Sequence, residues 1–252
     1  MKFPAQIPVA IGRPFRLLQV TDCHLGAQPG ERLLGLDTDQ SLEDVLHAMR
    51  EQDAKPDLVI ATGDITNHGC GTAYERFLDT LGQYFTSPLA WLPGNHDLPE
   101  QMRATSQARS GQAAPQVVIA GDWQLILLDS SVPGYEHGRL DDSQLQLLRE
   151  TLTKYPRHHA MIFLHHQLVP VGSAWIDQYI VRNADAFFAL VDEFPQVRGI
   201  CWGHVHQDFA TERNGVKMWA TPSSCVQFKP QIDAFTLDSA MPGYRWFELH
   251  SD

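Results

Sequence analysis

The stretch Leu89-Ala90-Trp91-Leu92-Pro93-Gly94-Asn95-His96-Asp97 joins an apolar run to a turn that carries metal-binding and acid–base groups. Its first four residues predict a short buried strand, which ends at the proline and glycine. An Asn-His-Asp run has little structural reason to follow a buried strand, because buried polar groups cost free energy unless they are bonded. The stretch therefore predicts functional side chains at the end of a strand.

Four further motifs follow predicted strands in the same way. They are Asp22-Cys23-His24, Gly63-Asp64, His165-His166 and Gly203-His204-Val205-His206. Side chains at strand ends are held by a rigid scaffold and remain open to solvent. One such motif alone is more often an ordinary turn, but five in succession favour a metal site.

Apolar runs alternate with amphipathic segments along the whole chain. Strands are predicted over 15–20, 58–61, 89–92, 160–164, 197–202 and 216–220, with a hairpin over 116–120 and 123–128. Helices are predicted over 39–53, 74–84 and 141–155, and from an Asn183 cap to 194. This alternation predicts an α/β (α+β) fold, a four-layer α-β-β-α sandwich with two stacked mixed β-sheets flanked by helices. The 252 residues, 43% hydrophobic, fit a single domain over 1–252.

Composition limits the partners and the location. The formal net charge is -11 and no Lys/Arg run is present, which argues against nucleic-acid binding. No stretch reaches the length of a membrane span, and residues 1–14 lack the apolar region of a signal peptide. The 4 cysteines form no CxxC pair. We therefore expect a cytoplasmic protein with reduced thiols and without a membrane partner.

The residue types and their spacing point to metal chemistry. In an extended chain, residues two apart point to the same side, so Asp22 and His24 are expected to hold one ion together, as are His204 and His206. The residue between each pair would then point away and pack. A shell of carboxylate, imidazole and amide groups suits iron, manganese, zinc or cobalt better than calcium. Two carboxylates cannot neutralise the charge of two divalent ions, so the site would remain positive and attract phosphate.

The order D-x-H, GD, GNHD, H and GHxH over residues 22–206 resembles the calcineurin-like metallophosphoesterase superfamily. A closer similarity, to the bacterial class III 3′,5′-cyclic AMP phosphodiesterases, is carried by residues 21–25, 91–97, 221–230 and 242–245. The resemblance therefore covers nearly the whole chain.

The resemblance implies two divalent transition-metal ions, with iron expected and manganese or zinc as alternatives. Asp64 would bridge both ions, while Asp22, His24 and His206 would serve the first ion and the other ligands the second. His166 is the alternative to His165, because the prolines that often follow this pair in relatives are absent here. The seven implied ligands are Asp22, His24, Asp64, Asn95, His165, His204 and His206.

The resemblance also implies the reaction. A hydroxide between the ions would attack the phosphorus of 3′,5′-cyclic AMP and release 5′-AMP. His96 would lie over the phosphate and donate a proton to the leaving oxygen, and Asp97 would orient His96. The base would be read by outer loops around Trp175 and Gln227-Phe228. The implied substrate-binding residues are His24, Asp64, Asn95, His96 and His206.

Two alternatives to cyclic AMP hydrolysis remain open at the level of sequence. One is a related enzyme acting on another ester, such as a 2′,3′-cyclic nucleotide or a glycerophosphodiester, since fold and metals do not choose the substrate. The other is a binding scaffold without catalysis. A scaffold is expected to have lost ligands or His96, and all of these residues are present here.

Overall fold

The structure is a computed structural model that describes residues 5–10, 12–51 and 55–251. The strands are β1 (Ala5–Ile7), β2 (Phe15–Val20), β3 (Arg32–Leu33), β4 (Leu36–Asp37), β5 (Leu58–Thr62), β6 (Leu89–Leu92), β7 (Val117–Ala120), β8 (Trp123–Leu127), β9 (His159–Phe163), β10 (Val197–Trp202), β11 (Phe209–Arg213), β12 (Val216–Ala220) and β13 (Arg245–Leu249). The helices are α1 (Thr38–Glu51), α2 (Gly71–Tyr84), α3 (Pro99–Ser110), α4 (Asp142–Lys154), α5 (Ala174–Asp177) and α6 (Ala184–Val191). None of the helices in these ranges is long and apolar enough to cross a membrane.

Two mixed sheets form the centre of the molecule. The larger sheet has the order β1-β7-β8-β9-β10-β12-β11, and the smaller has the order β13-β2-β5-β6. Strands β2, β5 and β6 run parallel, as do β8, β9, β10 and β12. The strands β3 and β4 form a separate hairpin. The carboxyl ends of neighbouring parallel strands therefore lie together in each sheet.

The sheets pack face to face, and helices cover their outer faces. Leu17 and Ile60 of the smaller sheet share a buried cluster with Phe163 of the larger one. The outer face of the smaller sheet packs against α1 and α2. The outer face of the larger sheet packs against α4 and α6. The predicted fold class is confirmed, because the layers follow the order helix, sheet, sheet, helix.

Several predicted boundaries shift. The helix α1 follows the predicted stripe of buried apolar residues, and the predicted end at 52–53 lies outside the described residues. The helix α2 begins three residues earlier than predicted. The helix α6 ends at Val191, and the Asn183 side chain does not cap it. Instead, the Asn183 amide bonds the backbone N–H and C=O of Leu140. These bonds join the start of α6 to the segment just before α4.

The sequence patterns missed α3, which lies directly after the Gly94-Asn95-His96-Asp97 turn. Only Met102, Thr105 and Ser106 are buried along it, so its apolar stripe is weak. Its ends are nevertheless marked, because Pro99 occupies the first turn and Gly111 follows the last with a φ of 72°. This proline and glycine asymmetry is the signal from which the helix was predictable.

Candidate metal centre

Every predicted metal-binding motif lies at the carboxyl end of a parallel strand. In the smaller sheet the motifs follow β2, β5 and β6, and in the larger sheet they follow β9 and β10. The main chain ties the first two motifs together, because the N–H groups of Asp22 and His24 donate to the C=O groups of Gly63 and Asp64 at 3.0 and 2.9 Å. The two sheets thus bring all five motifs to one end of the sandwich.

Asp22, His24 and His206 form one cluster of candidate ligand atoms, all within 4.8 Å of one another. The distance from His206 Nε2 to Asp22 Oδ1 is 3.3 Å, and that from His206 Nε2 to His24 Nε2 is 3.1 Å. Asp22 also accepts the His204 backbone N–H at 3.0 Å, which orients its carboxylate. These three residues are the set that the sequence predicted for the first ion.

Asp64 lies between this cluster and a second one. Its Oδ2 atom is 3.7 Å from His24 Nε2 and 3.3 Å from His165 Nε2. Burial disfavours its charge, but the positive potential of His165 and His24 more than offsets this and holds the pKa of Asp64 well below its ordinary value. A carboxylate that stays ionised between two histidine sets has the position that a bridging ligand requires.

The second cluster is built around His165 and His204. His165 Nε2 lies 3.2 Å from Asn95 Oδ1, in addition to its approach to Asp64. Burial disfavours the imidazolium of His165, but Asp64 more than offsets this and raises its pKa to about 9. The rings of His165 and His204 lie 5.1 Å apart, edge to face. Asp64, Asn95, His165 and His204 are the set that the sequence predicted for the second ion.

His166, the alternative to His165, faces a different partner. Its Nδ1 atom lies 2.9 Å from the Ser130 hydroxyl, and Gly138 packs against its Cβ. Its Nε2 atom is buried without a hydrogen-bond partner among the described residues. It also groups with His165 and His204 as a potential metal-binding set. Only His165 of the pair, however, approaches both Asp64 and Asn95.

The donor set fits a cation. The C=O groups of Thr62 and Val226 can only accept, so His165 and His206 each donate from Nδ1, at 2.8 and 2.7 Å. Nε2 is therefore the nitrogen of each ring that faces the carboxylate oxygens, and in the neutral ring its lone pair is available to a positive ion between them. His204 Nε2 is likewise buried without a partner in the described part of the chain. These lone pairs and orphaned nitrogens match the needs of divalent transition-metal ions.

The backbone at the ligands differs from the predicted extended chain. Asp22, His24, His204 and His206 all have a positive φ, between 47° and 63°. The expected alternation along an extended strand is therefore wrong as the reason that each pair converges. Left-handed conformations, costly for residues other than glycine, turn both side chains inward instead, and such strain concentrates at functional sites. The intervening Cys23 and Val205 are buried in the core, as predicted.

Glycine directly before Asp64 and before Asn95 lets two ligand loops approach each other closely. Gly63 has a φ of 95°, and a Cβ there would lie 2.6 Å from both Gly94 N and His165 Nδ1. A Cβ on Gly94 would lie 2.1 Å from Asp64 Oδ1. A side chain at either position would therefore push the two ligand loops apart.

His96 lies at the exposed rim, where its ring is 5.0 Å from that of His24. Its Nδ1 atom is 3.1 Å from the C=O of Asn67, which therefore orients the ring. The prediction that Asp97 orients the His96 ring is wrong. Asp97 is buried and accepts the backbone N–H groups of Gly94 and Thr66 and the Tyr74 hydroxyl. Asp97 therefore holds the turn together. The contact of Asn67 with His96 was not predicted, although Asn67 closely follows Gly63-Asp64 in the sequence.

Tyr74→Phe is expected to lower the free energy of unfolding by about 1–3 kcal/mol, the effect of leaving buried polar groups without a partner. The Tyr74 hydroxyl donates to Asp97 Oδ1 and accepts the Leu98 N–H, both at 2.9 Å. Urea denaturation measures the change. Tyr135→Phe is the matched control, since Tyr135 is 61% exposed. Equal stability of the two variants would contradict the anchoring role of Tyr74.

Hydrogen bonds from the segment 221–228 hold the loop that carries Asp22. The Ser223 hydroxyl donates to the C=O of Asp22 at 2.8 Å, and the Ser224 N–H donates to the C=O of Thr21 at 3.0 Å. The Gln227 amide bonds Ser223 and Cys225 within the same segment. Gln227 is therefore buried and engaged within its own segment, and Phe228 is the residue of the predicted Gln227-Phe228 loop that faces the cavity.

A cavity of about 330 Å³ opens over both clusters. His24, Asp64, Asn95, His204 and His206 line one end of it, together with His96. Trp175 and Phe228 line it as well, which places the predicted loops around these residues beside the clusters. A second cavity, of about 730 Å³, lies on the other side of His96 and contains Leu98 and Arg103.

The profile of the calcineurin-like phosphoesterase family matches residues 15–208 of this sequence. The chain belongs to the calcineurin-like phosphoesterase family. The matched residues include all five motifs and both clusters. Metal ions are implied by the family, and the clustered aspartates and histidines described above fit them.

Relatives of this calcineurin-like phosphoesterase match it over nearly its whole length. The 3′,5′-cyclic adenosine monophosphate phosphodiesterase CpdA of Escherichia coli (strain K12) is 42% identical over 246 residues, which cover 98% of this chain and 89% of the relative. A protein of the same name from Pseudomonas aeruginosa is 42% identical, covering 94% and 86%. A dimetal phosphatase from Danio rerio has the same fold, with a TM-score of 0.67 at 18% identity, covering 95% and 94%.

Proposed function

We propose that the chain hydrolyses 3′,5′-cyclic AMP to 5′-AMP at a two-metal site. The observation that carries the proposal is the convergence of seven potential ligands, from five motifs, in a chain 42% identical over 98% of its length to a cyclic AMP phosphodiesterase. Asp22, His24 and His206 would hold one ion. Asn95, His165 and His204 would hold the other, with Asp64 shared. Iron is the expected metal, with manganese or zinc as alternatives.

The protein's own residues have distinct tasks in this reaction. Bound ions would activate a water molecule to hydroxide at neutral pH and neutralise charge on the phosphoryl oxygens. His24, Asp64, Asn95 and His206 fix the place of the phosphate, because they line the end of the cavity over the clusters. His96 donates from Nδ1 to Asn67. This leaves its Nε2 atom as the nitrogen for a proton that passes to the leaving O3′.

The wild-type protein is expected to hydrolyse cyclic AMP with the highest kcat/KM in a panel that also contains cyclic GMP, 2′,3′-cyclic AMP and a glycerophosphodiester. Discrimination against cyclic GMP should be modest, because both nucleotides share the phosphate, the ribose ring and a purine. All substrates are assayed under one metal condition, with the metal content of the same preparation measured.

Two outcomes of this panel separate the parts of the proposal. A kcat/KM for cyclic AMP far below that for 2′,3′-cyclic AMP or a glycerophosphodiester would contradict the substrate but leave the two-metal site standing. Absence of turnover on every ester, with metals bound, would support the alternative of a non-catalytic scaffold. We also propose that residues 1–252 form one domain, and that the protein is cytoplasmic.

A further inference from the structure

Part of the lining of the cavity over the metal clusters is apolar. We call the three rings there the aromatic wall: Trp175, Phe228 and Phe235. Their centroids are 5.1 to 5.3 Å apart, with interplanar angles of 69° to 89°. Such edge-to-face packing fixes each ring against the other two. The wall is therefore a preformed surface, and Phe235 remains 48% exposed on it.

The wall is joined directly to the predicted ligands. Phe228 stacks on the His206 ring, with 4.1 Å between centroids and an angle of 9°. The Phe228 N–H also donates to the C=O of His206 at 2.9 Å. These two contacts hold Phe228, and with it the aromatic wall, beside the first metal cluster.

A strained leucine lines the same cavity. The hairpin of β3 and β4 turns through Leu34 and Gly35, which have φ values of 50° and 92°. Two-residue turns with both φ values positive favour asparagine, aspartate and glycine, and a leucine there is unfavourable. Leu34 is also 52% exposed, so burial in the core does not compensate. Strain without burial, beside a cavity, points to a contact with a ligand.

The charges around the cavity restrict what its apolar part can accept. No lysine or arginine lines it within the described ranges, and Glu136 is the acidic group outside the metal clusters. A second phosphate would therefore find no cation beside the apolar lining. An uncharged flat ring would bury its faces against apolar side chains, and the 330 Å³ volume suits a ligand of nucleotide size.

We propose that the purine base of the cyclic nucleotide lies between Leu34 and Phe235, with its phosphate over the metal clusters. The proposal rests on the proposed function and extends it, because it assigns base binding to two residues that are neither predicted metal ligands nor predicted to bind the phosphate. Phe235 contributes stacking, and Leu34 covers the opposite face of the ring. Trp175 and Phe228 hold Phe235 in place.

Phe235→Ala is expected to raise KM for cyclic AMP about tenfold, the effect of losing one base-stacking contact, with kcat little changed. Leu34→Ala should raise KM in the same direction, because it removes the apolar cover from the opposite face of the base. The comparison substrate is methyl riboside 3′,5′-cyclic phosphate, which has the same cyclic diester and no base. Its kcat/KM should be the same for both variants and the wild type. Binding of 5′-AMP and ribose 5-phosphate, measured by calorimetry, gives a readout without turnover. Only the affinity for 5′-AMP should fall.

Leu98→Ala is the matched control, because Leu98 is a 51% exposed leucine in the neighbouring cavity beyond His96. A rise in KM for cyclic AMP in this variant, with none in Phe235→Ala, would overturn the proposal and place the base in that cavity. Equal losses on the substrates with and without a base would overturn it as well. If the wild type hydrolyses neither substrate but binds 5′-AMP through Phe235, the proposed reaction fails and the base site stands. Failure of the wild type to bind 5′-AMP would overturn the base site.

Discussion

Asp64→Ala is expected to abolish phosphodiester hydrolysis and to lower metal content below two ions per chain. Asp64 is the residue whose carboxylate lies within 3.7 Å of histidines from both clusters. Its removal affects both predicted ions at once. The loss of activity should therefore exceed the roughly 10–100-fold cost of removing a group that only supports a ligand. Metal analysis and turnover of cyclic AMP are measured on the same preparation.

Asp64→Asn distinguishes loss of metal from a folding defect. It keeps the shape of the side chain and an acceptor for the backbone N–H of His96, which lies 2.9 Å from Asp64 Oδ1. It should fold and still lose metal, since a neutral amide replaces the charged oxygen shared by both clusters. Asp44→Ala is the control for removing a carboxylate, since Asp44 is exposed on α1. Full metal occupancy with normal activity in Asp64→Ala would show that the assignment is wrong.

His96→Ala is expected to keep both metals and to lower kcat by roughly 10²- to 10⁴-fold, the usual contribution of a general acid. The effect should fall mainly on kcat, because the proton transfer occurs in the transition state. His96 is exposed and is held by the C=O of Asn67. Its removal therefore leaves the buried clusters intact. Steady-state kinetics and metal content are the measurements.

Asn95→Ala is the contrasting variant, since Asn95 Oδ1 lies 3.2 Å from His165 Nε2 and its loss should weaken one ion. His68→Ala is the matched control for removing an exposed histidine near the same turn. A His96→Ala protein that has lost metal would make His96 a ligand and contradict the scheme. An unchanged kcat with full metal content would exclude the role as general acid.

Much of the site was predictable because its signals are local. An apolar run that stops at a glycine and an acidic or imidazole side chain, as at Gly63-Asp64, marks a strand end on the sequence alone. The resemblance then gave each of these positions a role. Asp22, His24 and His206 form one group of candidate ligands, and the other predicted ligands lie around Asp64 and His165. The contacts of His165 with Asp64 and Asn95 also favour His165 over His166 as the ligand.

Apart from α3, whose ends are marked by local signals, the features missed by the sequence depend on contacts between distant residues. The strand β13 (Arg245–Leu249) completes the smaller sheet by pairing with β2, although more than 220 residues lie between them. The hydrogen bonds of Gln227 within its own segment, together with the packing of that segment, leave Phe228 facing the cavity. Asn67 was missed because a backbone C=O, which every residue carries, is what contacts His96.

The sequence by itself determined the fold class, the strand-end motifs and the order of the candidate ligands, because hydrophobic period and chain breakers are properties of neighbouring residues. Only the tertiary structure decided the left-handed backbone that turns Asp22 and His206 toward each other. It alone placed Leu34 and Phe235 in one cavity. Such geometry arises when two sheets pack and the carboxyl ends of their strands meet, and no local pattern records which distant side chains then become neighbours.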